Sequence, residues 1–373
     1  MNPSSPAAAG VRLQSADARN LEQLICLSDF ESAAQKEMSH STWEYFSSGV
    51  ADEITLRWNR EAYDRLRLRP RVLVDVSKID TRITLLGQQL PHPVLLAPAA
   101  DQCMIHPEGE KATAQGASDA EAVVVLSSTT NTSVEDVSRN TKGPLWFQLY
   151  VQRDRGFTRE MVQRAVAAGC KALCVTVDSP TFGPRNRQSR AKYQLASHLC
   201  RPHLPPDTSG DVTRGGLQVF SYFVEPALTW KDIDWVRSLS NLPVLLKGVL
   251  NSADAARAAR EGLAGIIVSN HGARNLDTAP ATIDALPQVA DQVAGRLLVL
   301  VDGGIRRGTD VVKALALGAN AVLIGRPYLY GLAVGGREGV KRVVEILRAE
   351  LEMTMGLLGR TSIPEIDRSV MWS

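Results

Sequence analysis

The sequence predicts an α/β chain folded as a (β/α)8 TIM barrel, with a helical lead-in on its N-terminal side and a long insertion after the fourth strand. Three observations carry this. Eight short apolar segments separated by helical stretches lie at 94–100, 122–128, 145–151, 172–178, 244–249, 265–270, 297–304 and 321–327, and eight is the repeat count of a closed parallel barrel. Polar residues gather at their C-terminal ends: Ser127, Gln148, Tyr150, Thr176, Asp178, Lys247, His271, Asp302 and Arg326. Strands buried on both faces should be apolar, so this clustering marks the end of the barrel where such folds place a site. Finally, the connection over 185–230 is too long for an ordinary strand-to-helix turn, and at that end of the barrel it reads as a lid.

Each element has a local reason. Residues 1–20 are rich in Ala, Ser and Pro with little to bury, which predicts a disordered tail. From 21 to about 68 apolar residues recur at helical spacing, among them Leu27, Phe30, Ala34, Trp43, Tyr45 and Phe46. By pattern alone Tyr45 belongs to an aromatic helix face. The expected organisation is one domain over 21–373, its 185–230 insertion interrupted by Pro202, Pro205, Pro206, Gly210, Gly215 and Gly216. The basic run at 185–192 reads as a solvated face except for Arg185, and 190–215 is the expected first site of proteolysis outside the tail. Over 340–358, Val340, Val343, Val344, Leu347, Leu351 and Met355 share one helical face and read as scaffold.

Composition narrows the partners. A chain of 373 residues with net charge +2 creates no strong field, so neither nucleic acid nor an anionic membrane is expected as the main partner. Five irregularly spaced cysteines predict free thiols in a reducing compartment, with no metal site. No uninterrupted apolar run is long enough for a membrane span, there is no signal pattern, and the terminal Met-Trp-Ser is not a peroxisomal address. The expected location is the cytoplasm.

The chemistry concentrates in Ile266 to Asp277. A β-branched run stops at Ser269 and Asn270 and is followed by His271, Gly272 and Arg274. Imidazole accepts a proton near neutral pH, and a guanidinium holds a carboxylate through two parallel hydrogen bonds. Together they suit an acid that loses a proton, with Gly272 allowing a tight turn between them. Neither Gly-x-Gly-x-x-Gly after an early strand nor a Walker lysine is present, which disfavours nicotinamide dinucleotides and nucleoside triphosphates. Instead, Asp302-Gly303-Gly304-Ile305-Arg306 and Ile324-Gly325-Arg326-Pro327 follow the last two strands, where barrels often hold a phosphate between backbone N–H groups.

These blocks, with Ala97-Pro98, His106-Pro107-Glu108-Gly109-Glu110, Phe147-Gln148-Leu149-Tyr150, Thr176-Val177-Asp178 and Leu246-Lys247-Gly248, resemble the FMN-dependent 2-hydroxy-acid oxidases and dehydrogenases. That family includes glycolate oxidase, lactate oxidase and mandelate dehydrogenase. The resemblance, spanning nearly the whole chain from about Leu21, implies a barrel carrying FMN, oxidation of an L-2-hydroxy acid to a 2-oxo acid, and a homotetramer or homo-octamer. It places the base at His271 with Asp178 as its partner, the carboxylate clamp at Arg274 and Arg185, and the substrate tyrosines at Tyr45 and Tyr150. It sets Lys247 against the flavin N1 edge, where a fixed positive charge stabilises the anionic reduced ring. Ser127, Gln148 and Thr176, with backbone from Ala99 and Ala100, are implied flavin-ring contacts; Asp302, Gly303, Gly304, Arg306, Gly325 and Arg326 serve the ribityl chain and phosphate.

Hydride transfer to flavin N5 is favoured over a carbanion route, and dioxygen is favoured over a quinone or another carrier as the final acceptor. Three departures from the family pattern concern the pocket and lid: Thr129 where several relatives carry a bulky side chain, Asp101 where many have an apolar one, and Asn186-Arg187-Gln188 in place of acidic residues. Asp101 is expected to face solvent. A small Thr129 would favour medium aliphatic or aromatic acids over glycolate. Two rival readings are a Schiff-base lyase using Lys247 as nucleophile and a flavin-binding barrel without turnover.

Overall fold

Helical spacing in the lead-in yields three helices, α1 (Leu27–Glu37), α2 (His40–Ser47) and α3 (Ile54–Arg65). The Ser39 side chain caps α2 by accepting from the Thr42 N–H, and the apolar face so fixed buries Trp43, Tyr45 and Phe46. The computed structural model describes residues 21–205 and 224–372, so the expected tail and the middle of the expected lid lie outside the described residues.

An antiparallel hairpin not foreseen from the sequence comes next, β1 (Ile83–Leu85) and β2 (Gln88–Leu90). Leu86 and Gly87 turn it with φ of 50° and 76°, the left-handed pair that a two-residue hairpin requires. Leu85 and Leu90 are buried with Leu95, Trp146, Leu245, Ile267, Leu300 and Leu323 inside the barrel. Each such side chain contributes on the order of 1.5–3 kcal/mol when fully buried.

All eight predicted segments form strands: β3 (Val94–Leu96), β4 (Val124–Leu126), β5 (Leu145–Leu149), β6 (Leu173–Thr176), β7 (Val244–Lys247), β8 (Gly265–Val268), β9 (Leu298–Asp302) and β10 (Ala321–Ile324). They pair in parallel and in order, and β10 closes the barrel between β9 and β3, with Val322 opposite both Val301 and Val94. Side chains alternate between the interior and the layer under the helices: Leu95 and Trp146 point to the former, Leu96 and Phe147 to the latter. The observed strands stop up to four residues before the predicted ends. The residues beyond leave the ladder to line the cavity, so polar ends that a strand pattern absorbs are in fact the site.

The remaining helices are α4 (Gly109–Asp119), α5 (Val134–Arg139), α6 (Arg155–Ala167), α7 (Asn186–Arg190), α8 (Trp230–Ser238), α9 (Ser252–Arg260), α10 (Thr282–Val293), α11 (Gly308–Ala316) and α12 (Arg326–Leu357). The last leaves helical geometry at Gly335 and Gly336, and its second half carries the predicted buried stripe from Val340 to Met355. The basic run at 185–192 is in part the solvated face expected of it, with Arg190 and Lys192 exposed, but Arg187 departs from that. Arg187 pairs with Glu44 of α2 and with Glu53, pinning α7 to the lead-in helices. Among the described residues no helix is long and apolar enough to cross a membrane.

Candidate active site

The cavity at the C-terminal end of the strands is lined by every site residue expected from the sequence except Asp178, which stands behind His271. Strand β8 delivers Ser269 and Asn270, and the chain then makes one left-handed turn through His271, Gly272 and Ala273, with φ of 59°, 63° and 61°. Left-handed geometry costs a non-glycine residue roughly 1–2 kcal/mol, and buried hydrogen bonds offset it here. Asn270 Oδ1 accepts from the Ala273 N–H at 3.0 Å and from Asn59 Nδ2 at 3.0 Å, while Asn270 Nδ2 donates back to Asn59 Oδ1 at 2.8 Å. The turn aims imidazole and guanidinium at one space.

Asp178 Oδ1 lies 3.0 Å from His271 Nδ1 and also accepts from Ser179 Oγ at 3.1 Å. With a proton on Nδ1 for Asp178, the opposite nitrogen, Nε2, is the basic atom, 3.4 Å from the Tyr150 hydroxyl. Burial lowers the His271 pKa below its ordinary 6.5, with Asp178 opposing, so the imidazole is neutral at pH 7. For Asp178, burial works to raise the pKa, and His271, Lys247 and Ser179 outweigh it, holding the carboxylate ionised.

Arg274 lies half-buried beneath the Tyr45 ring, 5.1 Å from guanidinium carbon to centroid, and its Nη1 donates to the carbonyls of Tyr45 and Ser48 at 2.6 and 2.9 Å. Among the described residues no carboxylate pairs with it. Burial, then the like charge of Arg185, pushes its pKa down to about 9, leaving it charged at neutral pH but short of an anion. Arg185 reaches the Arg274 carbonyl at 3.5 Å and lies over the Phe182 ring.

Lys247 Nζ donates to Ser269 Oγ at 2.9 Å and pairs with Asp302 Oδ2 at 3.4 Å, while Ser269 Oγ donates to the same oxygen at 2.9 Å. Burial would lower the Lys247 pKa, but Asp302 and Asp178 raise it above the ordinary value. A held ammonium is no nucleophile, which counts against the Schiff-base reading. Beside it, Gln148 Nε2 donates to Thr176 Oγ1 at 2.8 Å, and Gln148 Oε1 accepts from Ser127 Oγ and the Ser128 N–H at 3.1 and 3.0 Å.

After β9 and β10 the backbone opens toward the cavity. Gly303 and Gly304 have φ of 94° and 80°, and a Cβ on Gly304 would sit 1.9 Å from the Asn59 carbonyl oxygen, so only glycine fits. A Cβ on Gly325 would only just touch Ala97, at 4.0 Å, and Gly325 and Arg306 both line the cavity wall. Among the described residues nothing hydrogen-bonds the buried Asp302 Oδ1. A buried orphan acceptor, a fixed ammonium and exposed glycine amides fit a polyhydroxylated phosphate ester such as FMN. Arg326 lines the same wall, yet its guanidinium donates to the carbonyls of Phe46, Gly272 and Ser48 at 2.9, 3.0 and 2.9 Å, tying α2 to the turn after β8.

The FMN-dependent dehydrogenase family model matches residues 34–373. The chain belongs to the FMN-dependent dehydrogenase family. Its cofactor is FMN, and its reaction is the oxidation of an L-2-hydroxy acid to the 2-oxo acid. It is 48% identical to an L-lactate oxidase of Nostoc sp. over 93% of this chain and 98% of that one. Glycolate oxidase 3 of Oryza sativa subsp. indica is 44% identical over 94% of this chain and 96% of its own length. Among solved structures, a mandelate oxidase with (S)-4-hydroxymandelic acid superposes with a TM-score of 0.88 at 38% identity, covering 92% of this chain and 98% of that one. The flavin-binding domain of baker's yeast flavocytochrome b2 gives 0.86 at 37% identity, covering 94% and 87%.

Within this member of the FMN-dependent dehydrogenases, one expectation about the pocket fails. Asp101 does not face solvent: it is fully buried, because Arg201 Nε and Nη2 grip its two oxygens at 2.9 and 2.6 Å. Arg201, which lines the cavity, was not singled out from the sequence; a proline-flanked arginine in a long insertion gives no local signal. Asn59, Ser179 and Tyr193 were missed for the same reason. Their partners are distant in sequence or, for Ser179, known only once the His271 turn is placed.

Proposed function

We propose that His271 is the base that takes the hydroxyl proton of the L-2-hydroxy acid, and that Arg274 and Arg185 hold its carboxylate. The observation that carries this is the adjacency of a neutral, Asp178-oriented imidazole and a half-buried guanidinium that no described carboxylate satisfies. A carboxylate on Arg274 supplies the missing charge, and the same contact sets the hydroxyl against Nε2 beside the Tyr150 phenol. As the proton arrives, Asp178 stabilises the imidazolium. Tyr45, stacked under Tyr193 and over Arg274, closes the pocket on the clamp side.

FMN, when bound, supplies the two-electron acceptor. Lys247 would present a fixed positive charge to it, Ser127, Gln148 and Thr176, with backbone from Ala99 and Ala100, would hold its ring, and Asp302 would accept from the ribityl hydroxyls. Arg306 and the amides of Gly303, Gly304 and Gly325 would hold the phosphate. Arg326 adds charge there while bracing the wall. Dioxygen, released as hydrogen peroxide, is the acceptor we favour, on the similarity to lactate, glycolate and mandelate oxidases. A homotetramer or homo-octamer remains part of this reading and is checked by native mass.

The test is anaerobic mixing of the yellow holoenzyme with (S)-lactate. Bleaching by the (S) acid and not by its enantiomer is expected, followed on aeration by recovery of colour with one peroxide per turnover. A flavin that no 2-hydroxy acid reduces would refute the assignment; reduction without peroxide would move the acceptor to a quinone or another carrier.

A further inference from the structure

The cavity is also lined by Arg201, a guanidinium to which the proposed reaction assigns no role. Arg201 is bound to Asp101 through Nε and Nη2, which leaves the N–H groups of Nη1 outside that ion pair. Asp101 is occupied on every side. Besides Arg201, it accepts from the Tyr193 hydroxyl at 3.3 Å and from Asn131 Nδ2 at 3.3 Å. Such a carboxylate has little capacity left for a ligand, whereas the arginine it fixes has donors to spare. Burial works against the Arg201 charge, but the hydrogen bond and charge of Asp101 outweigh it and keep its pKa above the ordinary value.

The two guanidinium groups are linked by contacts. Arg274 lies under Tyr45, Tyr45 stacks on Tyr193 with centroids 4.0 Å apart, Tyr193 donates to Asp101, and Asp101 holds Arg201. A substrate whose carboxylate sits on Arg274 therefore extends along an aromatic wall toward Arg201. Thr129, whose carbonyl accepts from the Asp101 N–H at 3.3 Å, is the small residue that leaves room there. Charge points the same way. Among the described residues, Arg185, Arg201 and Arg274 face the cavity with Asp101 as the one carboxylate hydrogen-bonded to any of them. A monocarboxylate leaves this group net positive, and a second carboxylate balances it.

We infer that Arg201, fixed by Asp101, reads the distal end of the substrate, and that this enzyme selects L-2-hydroxy acids carrying a second carboxylate beyond C3. The inference rests on the proposed clamp at Arg274 and redirects the expectation of an aliphatic pocket drawn from Thr129 alone. A hydrocarbon tail at Arg201 would strip water from the guanidinium without replacing its hydrogen bonds.

The test compares (S)-2-hydroxyglutarate with (S)-2-hydroxy-5-methylhexanoate, in which an isopropyl group replaces the distal carboxylate at nearly the same shape. The native holoenzyme should favour the diacid in kcat/KM by tenfold or more. The double variant Asp101→Met/Arg201→Leu, which removes the pair together and leaves no buried charge unpaired, should shift that ratio by at least 100-fold toward the apolar acid. Should that variant not hold FMN, flavin-difference titrations of the native protein with 2-oxoglutarate and 5-methyl-2-oxohexanoate carry the test, with tighter binding of the dicarboxylate expected. A native preference for the apolar member, or a diacid preference that survives the double variant, would overturn the role of Arg201 while leaving the clamp intact. Failure of every 2-hydroxy acid to reduce the flavin would overturn both.

Discussion

Substituting Asp178→Asn removes one charge and keeps the shape, so it isolates what the carboxylate does for His271. The separation is 3.0 Å, and both side chains are largely buried, at 14% and 19% exposure. At an effective dielectric of about 20, opposite charges at that distance attract by about 5 kcal/mol. A neutral amide hydrogen bond returns about 1 kcal/mol, and residual solvent screening takes a further share, leaving a loss of roughly 3–4 kcal/mol. At 1.36 kcal/mol per tenfold, flavin reduction should slow by about 10²- to 10³-fold. The assay is anaerobic stopped-flow reduction across pH. Because His271 must be neutral to act, kcat/KM should rise as pH rises through its pKa, and burial sets that acid limb below 6.5 in the native enzyme. Asp178 is the group that opposes the shift, so D178N should move the limb further down. A rate within tenfold of native, with the limb unmoved, would refute the assigned pairing.

Three other outcomes follow from the same geometry. His271→Gln should keep the flavin spectrum yet lose turnover by about 10²-fold or more, the scale of a positioned base; near-native flavin reduction would remove His271 from the mechanism. Arg274→Met should weaken (S)-lactate binding and slow its oxidation together, at a combined cost of about 3–5 kcal/mol for an unpaired buried carboxylate, and an unchanged KM would contradict the clamp. Acid release of the cofactor followed by mass analysis should return FMN and no adenine nucleotide, with FAD as the contrary result.

The sequence by itself determined the barrel, the position of its working face and most of the cavity wall. Buried parallel strands must be apolar, so Lys247, His271 and Asp302 at strand ends betray the site by local contrast. Glycine followed by arginine after the last two strands marks exposed amides in the same local way. Periodicity reports only neighbours along the chain, and what the tertiary structure decided lies outside its reach. The hairpin Ile83–Leu85 and Gln88–Leu90 has too few residues to show a pattern, yet it fills the barrel interior. Asp101 read as a solvent-facing carboxylate because its counter-charge, Arg201, is a hundred positions away and comes within 2.6 Å only when the chain around Arg201 packs against the cavity wall. Arg326 advertised charge near a phosphate loop, but carbonyls from two other segments claim its guanidinium. In each case the deciding partner was supplied by chain closure. Burying a charge is tolerable only with such a partner, so the polar half of the pocket could be read only after the fold had brought the pairs together.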